Sequence, residues 1–225
     1  MTTVTLTDLT PDWLVDRFQV LDDEGHGGQR GDHDLNPGMG IADDLTPAAV
    51  LVPLIEREEE VMTLFTQRTS HLQHHAGQIS FPGGHSDPVD NSPEDTALRE
   101  TEEEVGLHRR HIRIIGKLAP YITRTGFSVI PVVGLIAPPF DVSPDPNEVE
   151  DVFEVPLRFL MDPENHQRHK REVNGTRRDF YAMPYHDRFI WGATAGMIKN
   201  LYDVLVGAPP DAHFRREPLT KGAAD

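Results

Sequence analysis

Apolar residues recur at helical spacing near both ends of the chain. Thr10-Pro11 reads as an N-cap followed by the residue best tolerated at the first helical position, and Leu14, Val15, Phe18 and Leu21 then share one face, predicting a short amphipathic helix. Thr194, Met197, Ile198, Leu201, Val204 and Leu205 repeat the pattern and predict a core-facing helix over 191–206, stopped by Gly207 and Pro209. Between these ends the pattern is that of strands. The runs 49–55 and 61–66 flank the charged segment Glu56-Arg57-Glu58-Glu59-Glu60 and predict a hairpin, and 112–122 and 127–137 read as two more strands. Asn174-Gly175 separates two further runs, and both of its positions suit the positive φ of a type I′ turn. Residues 22–40 place six glycines among acids and histidines, with too few apolar groups to offset ordering entropy, and read as a mobile linker. The polar, proline-containing stretch from Ala208 reads as frayed, and no internal repeat is evident.

Length and charge narrow the class. A chain of 225 residues accommodates one domain with extensions or two small ones, and one core is the simpler reading. The formal charge of −16 makes nucleic acid and anionic lipid poor partners. Zero cysteines exclude disulfides, thiolate metal sites and a cysteine nucleophile, and fit a reducing compartment. The longest apolar run, about Ala48 to Ile55, is far short of the roughly 20 residues needed to cross a bilayer. The start, Met1-Thr2-Thr3-Val4, lacks the basic and apolar regions of a secretory signal, so a cytoplasmic protein is expected.

Much of the negative charge is concentrated in 85–104, where Asp87, Asp90, Glu94, Asp95, Glu100, Glu102, Glu103 and Glu104 stand against the single base Arg99. Ser92-Pro93-Glu94-Asp95 is a helix start and Gly106 a stop. At about 100° per residue, Glu100, Glu103 and Glu104 share an arc beside the stripe formed by Ala97, Leu98, Thr101 and Val105. A charge run of this kind is usually a solvated face. Glu100 and Glu104 nevertheless repel at i, i+4, and stacked acids beside a core-facing stripe also suit a hard divalent cation such as Mg²⁺. Taken alone, the helix fits both readings.

The preceding loop separates them. Gln78-Ile79-Ser80-Phe81-Pro82-Gly83-Gly84 brings two glycines, which permit close backbone approach, just ahead of Arg99-Glu100-Thr101-Glu102-Glu103-Glu104-Val105-Gly106-Leu107. Together they resemble the Nudix box, G-x5-E-x7-R-E-U-x-E-E-x-G-U. Thr101 replaces the usual aliphatic residue, Asp90 replaces the first glutamate, and eight residues rather than seven separate Asp90 from Arg99. Upstream, Leu64 to Gly84 resembles the extra signature of the coenzyme A pyrophosphatase branch, roughly L-L-T-x-R-S-x-x-x-R-x-H-x-G-x-x-x-F-P-G-G. Arg68, His75, Gly77, Phe81, Pro82, Gly83 and Gly84 match it, whereas Phe65, Thr69 and Gln73 depart from it. The likeness extends through Gly126-Phe127, Asn147-Glu148-Val149 and Ile190-Trp191-Gly192.

This resemblance implies an α/β fold, the Nudix α/β/α sandwich with a mixed sheet between helices, over 45–207. Residues 1–44 would form an N-terminal helix and flexible linker, and 208–225 a flexible tail. It implies hydrolysis of the diphosphate bond of coenzyme A or a derivative, giving 3′,5′-ADP and 4′-phosphopantetheine or its acyl form. Glu100, Glu103 and Glu104 would hold Mg²⁺ or Mn²⁺, with Glu100 also a candidate base, Glu148 a further ligand or base, and Arg99 fixing a carboxylate rotamer. Arg68, His75, Gly83 and Gly84 would bind substrate. The other reading of Arg68 is a surface strand residue, of His75 a loop histidine, and of Glu148 an acidic loop beside Glu150 and Asp151. His71, His74 and His75 lack the support of cysteine or a second ordered histidine pair and do not make a zinc site. Trp191 reads as a core or dimer anchor rather than a base-stacking platform, which leaves a homodimer open. Two alternatives stand beside this function: a pyrophosphatase of ADP-ribose or another nucleotide-linked diphosphate, favoured if Gln73 marks a lost contact, and a metabolite sensor that does not hydrolyse.

Overall fold

The structure, a computed structural model, describes residues 9–24, 28–70, 77–173 and 175–206. Its centre is a mixed sheet whose long strands are β2 (Thr46–Glu56), β3 (Val61–Arg68) and β8 (Phe127–Ile136). β2 runs parallel to β8 and antiparallel to β3, which confirms the hairpin read around the acidic turn. The sheet is completed by β1 (Arg30–Gly31), β4 (Ile79–Ser80), β5 (Gly83–His85), β6 (Ile112–Lys117), β7 (Tyr121–Ile122) and β9 (Val149–Pro156). A small antiparallel sheet, β10 (Gln167–Val173), β11 (Thr176–Tyr185) and β12 (Arg188–Trp191), stands apart from it. Val173 pairs with Thr176, so the β10–β11 turn has two residues; Gly175 takes φ 72°, and Asn174 lies outside the described residues.

β2 is a near-continuous apolar run and is buried almost end to end, because successive side chains point to opposite faces of the sheet and both faces are covered. Ala49, Leu51 and Ile55 face helix α2 (Pro93–Val105), in clusters with Ala97, Val105, Val132 and Ile136. Ala48, Val52 and Leu54 face the opposite way, toward α1 (Pro11–Glu24) and α4 (Ala193–Val206), where Leu14, Phe18, Met197, Ile198, Leu201 and Leu205 close the larger core. Helices on both faces of a mixed sheet make the α/β/α sandwich expected. A short helix, α3 (Leu157–Leu160), follows β9.

Several boundaries differ from the sequence reading. The run 112–122 is two strands, β6 and β7, both antiparallel to β8; a register irregularity at Ile114 to Gly116 and the missing N–H of Pro120 accompany the break. The last helix begins after Gly192, whose φ of 67° turns the chain out of β12, so Trp191 is a strand residue, half-buried and edge-on to Phe180. Gly207, Pro209 and the rest of the tail lie outside the described residues. The stretch read as a linker is ordered in part. Arg30 and Gly31 pair in parallel with Tyr121 and Ile122, Leu35 is buried, and Asn36 exchanges hydrogen bonds with the Asp179 backbone at 2.9 and 3.0 Å. Asp32 accepts from the Tyr121 hydroxyl and the Arg124 N–H, both at 2.8 Å. Leu14 and Phe18 of α1 and the 30–36 segment thus pack into the fold ahead of residue 44. Among the described residues, no helix is long and apolar enough to cross a membrane.

Candidate active site

Two adjacent glycines bring a strap of backbone against the acidic helix. β5 pairs antiparallel with β2, setting Gly83 opposite Val50 and Gly84 opposite Ala49. Gly83 has φ +152°, and a Cβ there would lie 2.4 Å from the Ala49 carbonyl oxygen. At Gly84 a Cβ would lie 2.6 Å from the carboxyl carbon of Glu100, so the strap touches the helix where only hydrogen fits. The helix starts as its sequence dictates: the Ser92 hydroxyl accepts the Asp95 N–H at 3.2 Å, Pro93 follows, and Gly106 ends it in the left-handed region at φ 67°.

Arg99 organises the outer acids. Its Nε and Nη2 donate to the two oxygens of Asp90 at 3.0 Å each, and its Nη1 donates to Glu100 at 2.9 Å and Glu103 at 3.0 Å. Nη2 also donates to the His85 carbonyl at 3.0 Å, tying helix to strap. Glu103 stays on the solvent side, its side chain 60% exposed.

Glu104 is different. It is 5% exposed, accepts the Gly83 N–H at 3.2 Å through Oε2, and has Oε1 3.6 Å from the Arg68 guanidinium. Burial pushes its carboxyl up to about 7; the Gly83 N–H and Arg68 oppose this, while the charges of Glu100 and Glu148 reinforce it. Glu100 is raised as well, chiefly by burial against the opposing Arg99, with Glu103 and Glu148 adding repulsion. Glu148 reaches this group from a loop stitched to both neighbours. Ser143 N–H donates to Val105 O at 2.7 Å, Asp145 N–H to Glu104 O at 2.9 Å, and Thr69 N–H to Glu148 O at 3.0 Å.

The structure thus brings together Arg68, Gly83, Gly84, Arg99, Glu100, Glu103, Glu104 and Glu148. His75 and Gln73 lie outside the described residues. In the sequence Asp90 departs from the box but fits the Gly-Gly-x-x-Asp-x-x-Asp loop that the coenzyme A pyrophosphatase branch tends to have, at Gly83, Gly84, Asp87 and Asp90, and the sequence alone gives it no role in the site. It is the two-pronged partner of Arg99, also accepts the Thr96 hydroxyl at 2.9 Å, and is held well below the usual carboxylate range by Arg99. The extra residue of this loop is absorbed in a turn where Asp90 N–H donates to Asp87 O at 2.9 Å and Asp87 N–H returns to the Asp90 carboxylate at 2.9 Å. The loop marked Asp90 in the sequence, but its pairing with Arg99, nine residues on, was not legible there.

The donor set suits a hard divalent cation, since carboxylate oxygens are its preferred ligands and the charged form of buried Glu104, beside two more acids, is disfavoured without added positive charge. Among the described residues no three such side chains already stand in a metal-holding cluster, and Arg99 engages two of the candidates.

Comparison with known proteins gives the same family twice. The family model for the NUDIX domain matches residues 45–176. A relative from Yersinia enterocolitica, designated uncharacterized Nudix hydrolase NudL, is 40% identical over 154 residues, covering 68% of this chain and 78% of its own; the Yersinia pestis counterpart is 40% identical, with 77% of its own length covered. Among solved structures, the Nudix hydrolase RenU from M. smegmatis aligns with a TM-score of 0.48 and 18% identity, over 77% of this chain and 98% of that one. A C. elegans Ap4A hydrolase binary complex aligns with a TM-score of 0.41 and 24% identity, over 49% of this chain and 80% of that one.

Proposed function

The chain belongs to the Nudix family and is a hydrolase of that family, and from this premise we propose that it cleaves the diphosphate of coenzyme A or its derivatives to 3′,5′-ADP and 4′-phosphopantetheine or the acyl form. The observation that carries the reading is buried Glu104, set between the Gly83 N–H and Arg68 and pressed by Glu100 and Glu148. Glu100, Glu103 and Glu104 are the residues that would hold Mg²⁺ or Mn²⁺, with Glu148 a further ligand or the base. Such a cation, when bound, neutralises phosphate charge and activates a water.

The rest is the work of the chain. A diphosphate entering a cluster of carboxylates meets repulsion, and the nearest fixed positive charge on the inner side is the Arg68 guanidinium, which suits it to contact phosphate oxygens. The glycine strap lets a bulky phosphate approach backbone N–H groups with no side chain in between. Arg99 holds Glu100 and Glu103 and is itself braced by Asp90, so it acts as a positioning residue. The Leu64 to Gly84 signature, including His75, favours coenzyme A as the substrate.

The test is incubation of purified protein with Mg²⁺ or Mn²⁺ and a panel of coenzyme A, ADP-ribose, NADH and dinucleoside polyphosphates, with chromatographic identification of products. Conversion of coenzyme A to 3′,5′-ADP and 4′-phosphopantetheine, abolished by chelator and restored by added cation, is the expected result. Preferential cleavage of ADP-ribose would assign the second substrate class. Binding without turnover of any compound would mark a sensor, and full activity in excess chelator would remove the metal from the reaction.

A further inference from the structure

On the sheet face that α2 covers, β3 and β9 present successive rows: Arg68 at the catalytic end, then Thr66 beside Val152, then Leu64 beside Glu154. Side chains on one face of a strand recur every second residue at about 3.3 Å per residue, so Leu64 lies roughly 13 Å from Arg68 along the same face. Over that far end opens a cleft of about 550 Å³, lined by Leu64, Val152, Phe140, Val142, Arg57 and Glu154 among others. Leu64 is buried beneath the cleft, and half-buried Val152 and Phe140 present its apolar surface. Phe140 and Val142 come from the segment that leads on through Asp145 to Glu148, so the wall of the cleft and the acid of the site belong to one stretch of chain.

The charges at the rim decide what the cleft accepts. Arg57 is its only cation among the lining residues, and it is already engaged: it donates to both carboxylate oxygens of Glu154 and lies over the Phe140 ring at 5.2 Å. Asp141 adds an acid with no cation to offset it on the rim. A phosphate or a second nucleotide would therefore meet net negative charge, whereas an uncharged chain that carries amides could meet both the polar rim and the partly exposed Phe140, Val142 and Val152. We propose that this cleft seats the uncharged arm of the substrate, the amide-and-alkyl chain that extends from the diphosphate away from the nucleoside, together with any acyl group it bears. The proposal rests on the pyrophosphatase reading above, and adds to it where the distal half of the substrate lies and why that half must be neutral.

Val142 is 40% exposed, so a charge can be placed there without disturbing the core. The test compares wild type and Val142→Asp on an acyl-coenzyme A and on the methyl ester of 3′-phospho-ADP, which keeps the nucleotide and diphosphate but has no arm. Val142→Asp is expected to lower kcat/KM for the acyl compound about tenfold more than for the methyl ester, mainly through KM, with Val142→Leu close to wild type. An unchanged ratio between the two substrates, in a variant whose thermal midpoint matches wild type, overturns the cleft while leaving the hydrolase reading in place. Failure of wild type to cleave either compound overturns both together.

Discussion

Gly83 and Gly84 sit side by side and should fail in opposite ways. A Cβ at position 83 meets backbone, the Ala49 oxygen at 2.4 Å and Val50 Cα at 2.5 Å, so Gly83→Ala must open the β2–β5 pairing. The expected cost is about 1–3 kcal/mol, read as a fall of several degrees in Tm. The atoms nearest a Cβ at 84 all belong to the end of the Glu100 side chain. Gly84→Ala should therefore keep its Tm and lose turnover as the Glu100 carboxylate is pushed aside; a normal rate in that variant would remove Glu100 from the chemistry. Glu104→Gln keeps an acceptor for the Gly83 N–H but loses the charge, and is expected to lose at least about a hundredfold in kcat with the fold intact. Activity within a few-fold of wild type at the same metal level would show that Glu104 is no ligand. The glycine pair and the three glutamates were legible in the sequence because their spacing is local. The division of labour between the glycines was not, because it depends on Val50 and Glu100, which approach from other elements.

At the scale of the element, α2 was legible at both ends because its start and stop are made by neighbours in sequence. Ser92 supplies its own cap, and Ser92→Ala should cost about 1 kcal/mol, or about 2–4 °C in Tm by scanning calorimetry, with kcat of the folded enzyme little altered. A loss of turnover without a loss of Tm would mean the cap sets the geometry of the acids rather than the stability of the helix. The segment 30–36 was illegible for the complementary reason. Its composition is that of a linker, yet its partners are Tyr121, Arg124, Asp179 and Asp203, some 90 to 170 residues on. Local hydrophobicity carries no trace of them. The break between β6 and β7 carried a signal in Gly116 and Pro120, but both pieces serve the same neighbour, β8, so their apolar residues read as one strand.

Considered as a whole molecule, the protein carries a half-buried histidine that couples its stability to acidity. His166 donates to the Leu160 carbonyl at 2.7 Å and lies edge-on to the Tyr202 ring. Burial lowers its pKa to about 4, with the nearby Lys199 acting in the same direction and the Leu160 carbonyl and Asp162 opposing. In the unfolded chain a histidine titrates near 6.5, so between these values the unfolded state binds more protons than the folded one. This contribution is complete above pH 6.5 and is lost as pH falls toward 4, by roughly 3 kcal/mol over the window. Denaturant midpoints at pH 7, 5.5 and 4.5 should fall less steeply for His166→Gln than for wild type; parallel slopes would exclude His166 as the source. The two helices on that side of the sheet carry a second consequence. Arg17 of α1 donates to the carbonyls of Val204 and Leu205 at the end of α4, at 2.9 and 3.1 Å, so the first and last described helices complete each other. A chain that emerges from the ribosome one end first must therefore hold α1 without its partner until nearly two hundred residues have followed. For that interval Leu14 and Phe18 are an exposed apolar patch on a nascent chain, a surface for chaperones to hold or for neighbouring chains to stick to.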